Sequence, residues 1–177
     1  MIGQKMVPIL QKEDKSFMPE SMDIVEYIDN KYQPKLIKNK GKQNLQLYKW
    51  IDESGYFVSR LAMPRWAKVN FEEFKTTAAR NYFINKKESY IGSFEELIKN
   101  TPEYLLATEA KLLELEKLLF STEYASKNEL TEDDIILFPK LRSLSIVKDL
   151  RFPDKVLQYI HNMSRKSHVN LNLDIAL

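Results

Sequence analysis

Two short stretches near the N-terminus are candidates for a site that binds a small polar ligand. Glu20 and Ser21 precede a run with helical spacing, so a carboxylate and a hydroxyl would lie beside the free N–H groups of a helix start. Those amides could bind the carboxylate of an amino acid, and Glu20 could bind its ammonium group. The same residues also fit a plain capped helix with Ser21 at the N-cap.

Val7-Pro8 is the second stretch. It precedes a short apolar segment, and the proline either simply starts a strand or forms a cis bond.

Several other chemistries are excluded by residue type. The 177 residues contain no cysteine, which excludes disulfides, thiolate metal sites and a cysteine nucleophile within them. The two histidines, His161 and His168, lie far along the chain from any carboxylate pair at metal-ligand spacing. We therefore expect no metal site and interpret both as surface or helix-end residues.

Charge and hydropathy argue against nucleic acid and membrane partners. The chain has 27 basic and 25 acidic residues with no basic half, and we interpret the cluster of Arg60, Arg65 and Lys68 as a solvated helix end. No apolar run approaches the ~18 residues of a membrane span. The first residues lack the apolar core of a signal peptide, so the sequence predicts a cytoplasmic protein.

The first forty residues predict a hairpin and a helix. Residues 7–11 and 16–18 read as short strands around a polar turn at 12–15. Apolar residues at helical spacing then predict a helix over 21–32, which ends before Pro34. A lone two-stranded hairpin is marginal in water, so this segment looks like half of a larger fold.

Helical spacing dominates from residue 43 onward. The first helix should run about twenty residues and stop at Pro64. Ser93 and Thr131 fit capping boxes, and Thr101-Pro102 should start a helix that is apolar nearly all round and therefore central. Residues 169–177 alternate in hydropathy and should pack back as an extended strand.

Strand, turn, strand and helix, with Val-Pro before the first strand and Glu-Ser at the helix start, resemble the C-terminal half of a thioredoxin-like domain. Further motifs are GQKMVPIL at 3–10, MPESMDIV at 18–25, PRWAK at 64–68, AAR at 78–80, KKE at 86–88, EDDI at 132–135 and LFPKLR at 137–142. In these stretches the whole chain resembles the bacterial glutaredoxin-2 family.

This resemblance implies a mainly α fold. Residues 1–34 would form a truncated α/β thioredoxin-like remnant, a β-hairpin plus a helix. Residues 35–41 would be a linker, and residues 42–177 an all-α domain like the helical domain of glutathione transferases. The family's strand–helix–strand unit with its Cys-Pro-Tyr-Cys motif is expected to be missing before Met1, because such a unit needs ~30 residues.

The family resemblance also implies a function. It implies a glutathione-dependent disulfide oxidoreductase, active in thiol–disulfide exchange and deglutathionylation, with glutathione as co-substrate or ligand and glutathionylated proteins as further partners. Val7, Pro8, Glu20 and Ser21 would bind glutathione, and Lys5 could meet its glycyl carboxylate. Without a cysteine, the chain alone is expected to be inactive in redox chemistry.

Two alternatives remain open at this point. The chain could be a non-catalytic module that binds glutathione or a protein partner, or a decayed helical domain without function. Unpaired strand edges recruit other chains, so we expect a dimer through the hairpin edge if one forms, and a monomer otherwise.

Overall fold

The computed structural model describes residues 7–37, 39 and 41–177. The chain divides into two compact units, Met1–Lys38 and Asn39–Leu177, and the division falls within the predicted linker. None of the helices described has a stretch that is both long and apolar enough to cross a membrane.

The first unit contains the predicted hairpin and helix. Strand β1 (Leu10–Gln11) pairs with β2 (Phe17–Met18) in antiparallel register, with Leu10 opposite Met18. Both strands are two residues long, so β1 is shorter than predicted. Helix α1 (Ser21–Lys31) follows and buries Ile24.

The second unit is helical, which confirms the mainly α fold class. Its helices are α2 (Leu45–Trp66), α3 (Thr77–Ile91), α4 (Phe94–Lys99), α5 (Thr101–Leu118), α6 (Glu132–Leu144) and α7 (Asp154–Ser167), with 3₁₀ turns at Glu72–Phe74 and Leu173–Ile175. Helix α2 lies at the centre and packs against α4, α5 and α6. A single large apolar core forms around it, to which α7 also contributes.

Helix α2 continues through Pro64, so the predicted stop at this proline is wrong. A proline removes only its own N–H from the helix ladder, and here Pro64 and Arg65 are both buried in the packed last turn. Arg65 is 5% exposed, which also corrects its interpretation as a solvated residue. Its guanidinium donates to the carbonyl oxygen of Leu61 and to the main-chain oxygen of Leu177, both at 2.8 Å, and to Thr101 Oγ1 at 3.1 Å.

The start of α4 differs from the predicted capping box. The hydroxyl of Ser93 makes no capping bond. Instead, the carboxylate of Glu88 accepts a hydrogen bond from the N–H of Phe94 at 2.7 Å. A side chain from the preceding helix thus replaces the local cap, which a spacing rule cannot anticipate.

Two further expectations hold only in part. Helix α5 buries one face through Leu112 and Leu115, whereas Leu106 is 67% exposed, so it is not surrounded by core. The tail does pack back, because the N–H of Leu177 donates to Ile146 O at 2.9 Å. It forms a 3₁₀ turn instead of the predicted strand.

The start of α6 confirms the predicted capping box and adds a buried network. Asp134 is fully buried, and its Oδ2 accepts from the N–H of Thr131 at 3.0 Å and from Thr131 Oγ1 at 3.1 Å. Its Oδ1 accepts from the N–H of Ala125 at 2.7 Å and from Tyr159 Oη at 3.0 Å. One carboxylate therefore joins α6, the preceding loop and α7.

The neighbouring carboxylate of Asp133 reaches the start of α2. It is also fully buried and accepts from the N–H groups of Gln43 at 3.2 Å and Asn44 at 3.0 Å. Asn44 in turn caps α2 through its Oδ1, which accepts from the N–H groups of Gln46 and Leu47. The first turns of α2 and α6 are thereby fixed to each other.

We predict that Asp134→Asn strongly destabilises the protein. The amide would place an NH₂ group against donors and remove charge-assisted hydrogen bonds, at a cost of roughly 3 kcal/mol in the free energy of unfolding. Urea denaturation measures this loss. The matched control is Asp52→Asn on the exposed face of α2, which should change the free energy by less than about 0.5 kcal/mol. Equal midpoints for the two variants would contradict this role of Asp134.

A second prediction concerns alkaline pH. Burial, with the adjacent Asp134, raises the pKa of the Tyr159 hydroxyl well above its ordinary value of 10.0. An unfolded tyrosine loses its proton near pH 10 while the folded one keeps it. Tyr159 therefore stabilises the fold below pH 10, and this contribution is lost as the pH rises further, by up to about 1.4 kcal/mol per pH unit.

The variant Tyr159→Phe should flatten the fall in stability above pH 10. Burial also raises the pKa of Tyr48, so part of the fall in stability with pH should remain in this variant. Denaturation curves between pH 8 and 11 provide the test, with Tyr90→Phe at an exposed position as control. An unchanged slope in Tyr159→Phe would show that this hydroxyl does not titrate as described.

Candidate functional site

The hairpin register brings the two predicted ligand-binding stretches to the same end. Because β1 and β2 are antiparallel and Leu10 faces Met18, the chain before β1 and the chain after β2 leave the hairpin at one end. Val7-Pro8 lies on the first of these segments and Glu20-Ser21 on the second. The connecting turn, residues 12–15, lies at the opposite end.

Val7 presents its backbone on an open segment. The peptide bond between Val7 and Pro8 is cis, and Val7 is 86% exposed. Neither residue belongs to a strand. The backbone of Val7 is thus placed where an extended ligand could pair with it.

Glu20 and Ser21 lie at the start of α1, and their side chains bond to none of the residues that the structure describes. Glu20 is the extended residue before the helix, with φ −87° and ψ 125°, and its carbonyl accepts the N–H of Ile24 at 2.9 Å. Ser21 is the first helical residue, so the alternative of Ser21 as N-cap is wrong. No side chain in the described part of the chain caps this helix.

This uncapped start distinguishes α1 from the other described helices. Each of the other six has a side-chain acceptor for an N-terminal amide or a proline in its first turn. These are Asn44 for α2, Thr76 for α3, Glu88 for α4, Pro102 for α5, the Thr131–Asp134 box for α6 and Glu116 for α7. The first-turn amides of α1 therefore remain available to an external acceptor.

An ion pair holds the hairpin turn to the far end of α1. Lys31 Nζ lies 2.5 Å from Glu13 Oε1, and the hydrogen bond to Glu13 raises the pKa of Lys31. The pair is solvent-exposed, so its contribution to stability is small. It involves neither Glu20 nor Ser21.

The charge around the helix start favours a zwitterion over a simple anion. Asp23 lies in the first turn, three residues after Glu20. Two carboxylates oppose a bare anion at the amides, whereas an ammonium group on the same ligand offsets that repulsion. The sequence interpretation did not include Asp23 in the site, although an acidic residue in a first turn is visible in the sequence.

Known proteins match the chain over its full length. The family described as "Glutaredoxin 2, C terminal domain" matches residues 46–176. Glutaredoxin 2 of Escherichia coli strain K12 is 40% identical over 177 residues, which are 100% of this chain and 81% of that protein. The chain belongs to the glutaredoxin-2 family. The resemblance stated from the sequence is thereby confirmed.

A solved glutaredoxin 2 extends the match to three dimensions. The crystal structure of glutaredoxin 2 from Salmonella typhimurium in complex with glutathione superimposes with a TM-score of 0.92 at 43% identity. The match covers 100% of this chain and 80% of that one. The fold of this glutaredoxin-2 family member is thus shown, while the roles of Val7, Pro8, Glu20 and Ser21 stay predictions.

Two predicted features need separate mention. Lys5, the further candidate for glutathione contact, lies outside the described residues. Within the described part of this glutaredoxin-2 family chain, no group of three or more His, Cys, Asp or Glu side chains is arranged to hold a metal ion.

Proposed function

We propose that this chain recognises glutathione, as part of the glutathione-dependent disulfide oxidoreductase function implied by its family. The observation that carries the proposal is the start of α1, which no side chain in the described part of the chain caps and beside which Glu20 and Ser21 lie. The antiparallel register that puts Val7-Pro8 at the same end of the hairpin supports it. The glutathione complex of the Salmonella typhimurium relative supports the choice of ligand.

The γ-glutamyl end of glutathione fits the charges of this helix start. Its carboxylate would accept hydrogen bonds from the first-turn amides and from the Ser21 hydroxyl. Its ammonium group would lie against Glu20, with Asp23 adding to the favourable potential. The ligand is therefore held as a zwitterion.

The cysteinyl unit would pair with the backbone of Val7. Its N–H and C=O can exchange hydrogen bonds with the Val7 backbone, and Pro8 fixes the local chain direction. Lys5 would contribute to binding the glycyl carboxylate. Under this proposal the side chain of Val7 itself does not matter for affinity.

Redox chemistry requires a group that these residues lack. Thiol–disulfide exchange proceeds by attack of a thiolate, and the 177 residues contain no cysteine. The chain thus supplies recognition, and exchange or deglutathionylation of proteins would need a thiol from outside these residues. We place this function in the cytoplasm.

The cysteine-free composition also favours a second candidate function. A module that binds glutathione or a glutathionylated protein without catalysis uses the same site and needs no thiol. Binding measurements test the recognition that both functions share, and activity measurements separate them.

We predict that Glu20→Gln weakens glutathione binding about tenfold and Ser21→Ala about threefold, because each removes one contact to the γ-glutamyl group. Isothermal titration of the full chain at constant ionic strength measures both. Glu13→Gln is the matched control, since it removes an equal charge from the turn at the other end of the hairpin. Val7→Ala should leave the affinity unchanged.

Cysteinylglycine, which lacks the γ-glutamyl group, tests whether Glu20 contacts that part of glutathione. Its weaker binding should not respond to Glu20→Gln. Equal losses in Glu20→Gln and Glu13→Gln would instead indicate a long-range charge effect and would contradict the proposed site.

We also predict no glutathione-dependent disulfide reduction by the 177-residue chain. Reduction of a small mixed disulfide, followed through glutathione oxidation, should proceed at the rate of the buffer alone because no thiolate is present. Saturable turnover by the purified chain would show that exchange does not depend on a protein cysteine.

A further inference from the structure

The second unit contains a cavity whose lining includes none of the residues proposed to bind glutathione. Its volume is about 240 Å³, smaller than a typical drug-binding pocket. It is lined by Trp66, Phe71, Glu73, Phe74, Arg142 and Asn172. Three aromatic rings and one guanidinium thus meet around a space that suits a ligand of about ten non-hydrogen atoms.

The aromatic side of the cavity is held in place. The rings of Phe71 and Phe74 lie 6.4 Å apart, and Phe74 also packs on Phe83 at 5.0 Å. Arg80 donates to the carbonyl oxygens of Val69 at 3.1 Å and Phe74 at 3.4 Å, which fixes the segment carrying both phenylalanines. The rings therefore form preorganised walls for a flat apolar group.

The guanidinium of Arg142 is both oriented and available. Its Nε donates to the carbonyl oxygen of Asn170 at 2.7 Å, which fixes the plane of the group. Among the residues that the structure describes, this is the only hydrogen bond that the Arg142 side chain makes. The two terminal NH₂ groups thus remain as a fork that can bind a carboxylate with two parallel hydrogen bonds.

Glu73 sets the charge that the cavity accepts. Within the described residues it forms no ion pair, and Arg142 is not its partner. The negative charge of Glu73 offsets part of the attraction that the guanidinium exerts on a carboxylate, and it opposes a second carboxylate more strongly. The cavity therefore favours a monoanion over a dianion.

We propose that this cavity binds a small aromatic monocarboxylate. The ring of the ligand would lie among Trp66, Phe71 and Phe74, and its carboxylate would accept two hydrogen bonds from Arg142. Phenylacetate has this size and chemistry and serves as the probe. Neither its amide nor the corresponding amine satisfies the guanidinium in the same way.

The two tryptophans of the chain allow a direct test. Trp66 lines the cavity, whereas the indole N–H of Trp50 donates to Lys111 O at 2.6 Å elsewhere in the unit. In ¹⁵N-labelled full chain, phenylacetate should shift the Trp66 indole signal saturably and leave that of Trp50 in place. Trp66→Phe assigns the two signals.

Ligand chemistry and variants then identify the contacts. Phenylacetamide and phenethylamine should bind at least about tenfold more weakly than phenylacetate, because they lack the carboxylate. Arg142→Lys should weaken phenylacetate about tenfold by removing the fork, and Lys140→Gln on the same helix is the control. Glu73→Gln should strengthen phenylacetate about threefold, a gain that misfolding cannot produce.

Three outcomes would overturn the proposal. They are no saturable shift of the Trp66 signal with phenylacetate, equal affinity for phenylacetate and its amide, or an unchanged affinity in both Arg142→Lys and Glu73→Gln. Thermal unfolding of each variant confirms that the fold is retained.

Discussion

The helical unit depends on two consecutive carboxylates, Asp133 and Asp134, that are buried at the start of α6. Both are fully inaccessible, and among the residues that the structure describes they accept hydrogen bonds from backbone amides and hydroxyl groups. A buried carboxylate is tolerable only when such donors replace the lost water. Their position in the first turn of α6 adds the favourable end of the helix dipole.

Helix α2 is held at both ends by buried charged groups. Asp133 holds the amides at its start, and Arg65 near its end donates to α5 and to the tail. Burial lowers the pKa of the Arg65 guanidinium, and the group donates to oxygens of Leu61, Leu177 and Thr101. A buried carboxylate at one end and a buried guanidinium at the other thus set the position of the central helix.

Local signals explain which elements could be predicted from the sequence. The Thr131–Asp134 box is encoded within four residues, and the structure contains it. Pro64 was misjudged because the packing of the residues around it outweighs one lost hydrogen bond. The cap of α4 was missed because Glu88 comes from another helix.

The two candidate sites differ in the same way, because one is encoded locally in the sequence and the other is not. Residues flanking a short hairpin could be assigned to one end from the pattern alone, and the register agrees. The position of Ser21 inside the helix could not be predicted from the sequence, because a serine fits the N-cap and the first turn equally well. The cavity joins Trp66 to Arg142 across seventy-six positions, and no local motif encodes that proximity.

The contrast between the starts of α1 and α2 bears on how a ligand would act. Asn44 accepts two first-turn amides of α2 from within the chain, whereas the amides of α1 have no such acceptor in the described residues. A bound carboxylate would accept hydrogen bonds from the first-turn amides of α1, as the side chain of Asn44 does from those of α2. A ligand that satisfies these amides only in the folded state stabilises that state by mass action. Under the proposed function, recognition at the start of α1 would therefore be linked to the stability of the small hairpin–helix unit, in which Ile24 and Ile37 are the buried hydrophobic residues among those described.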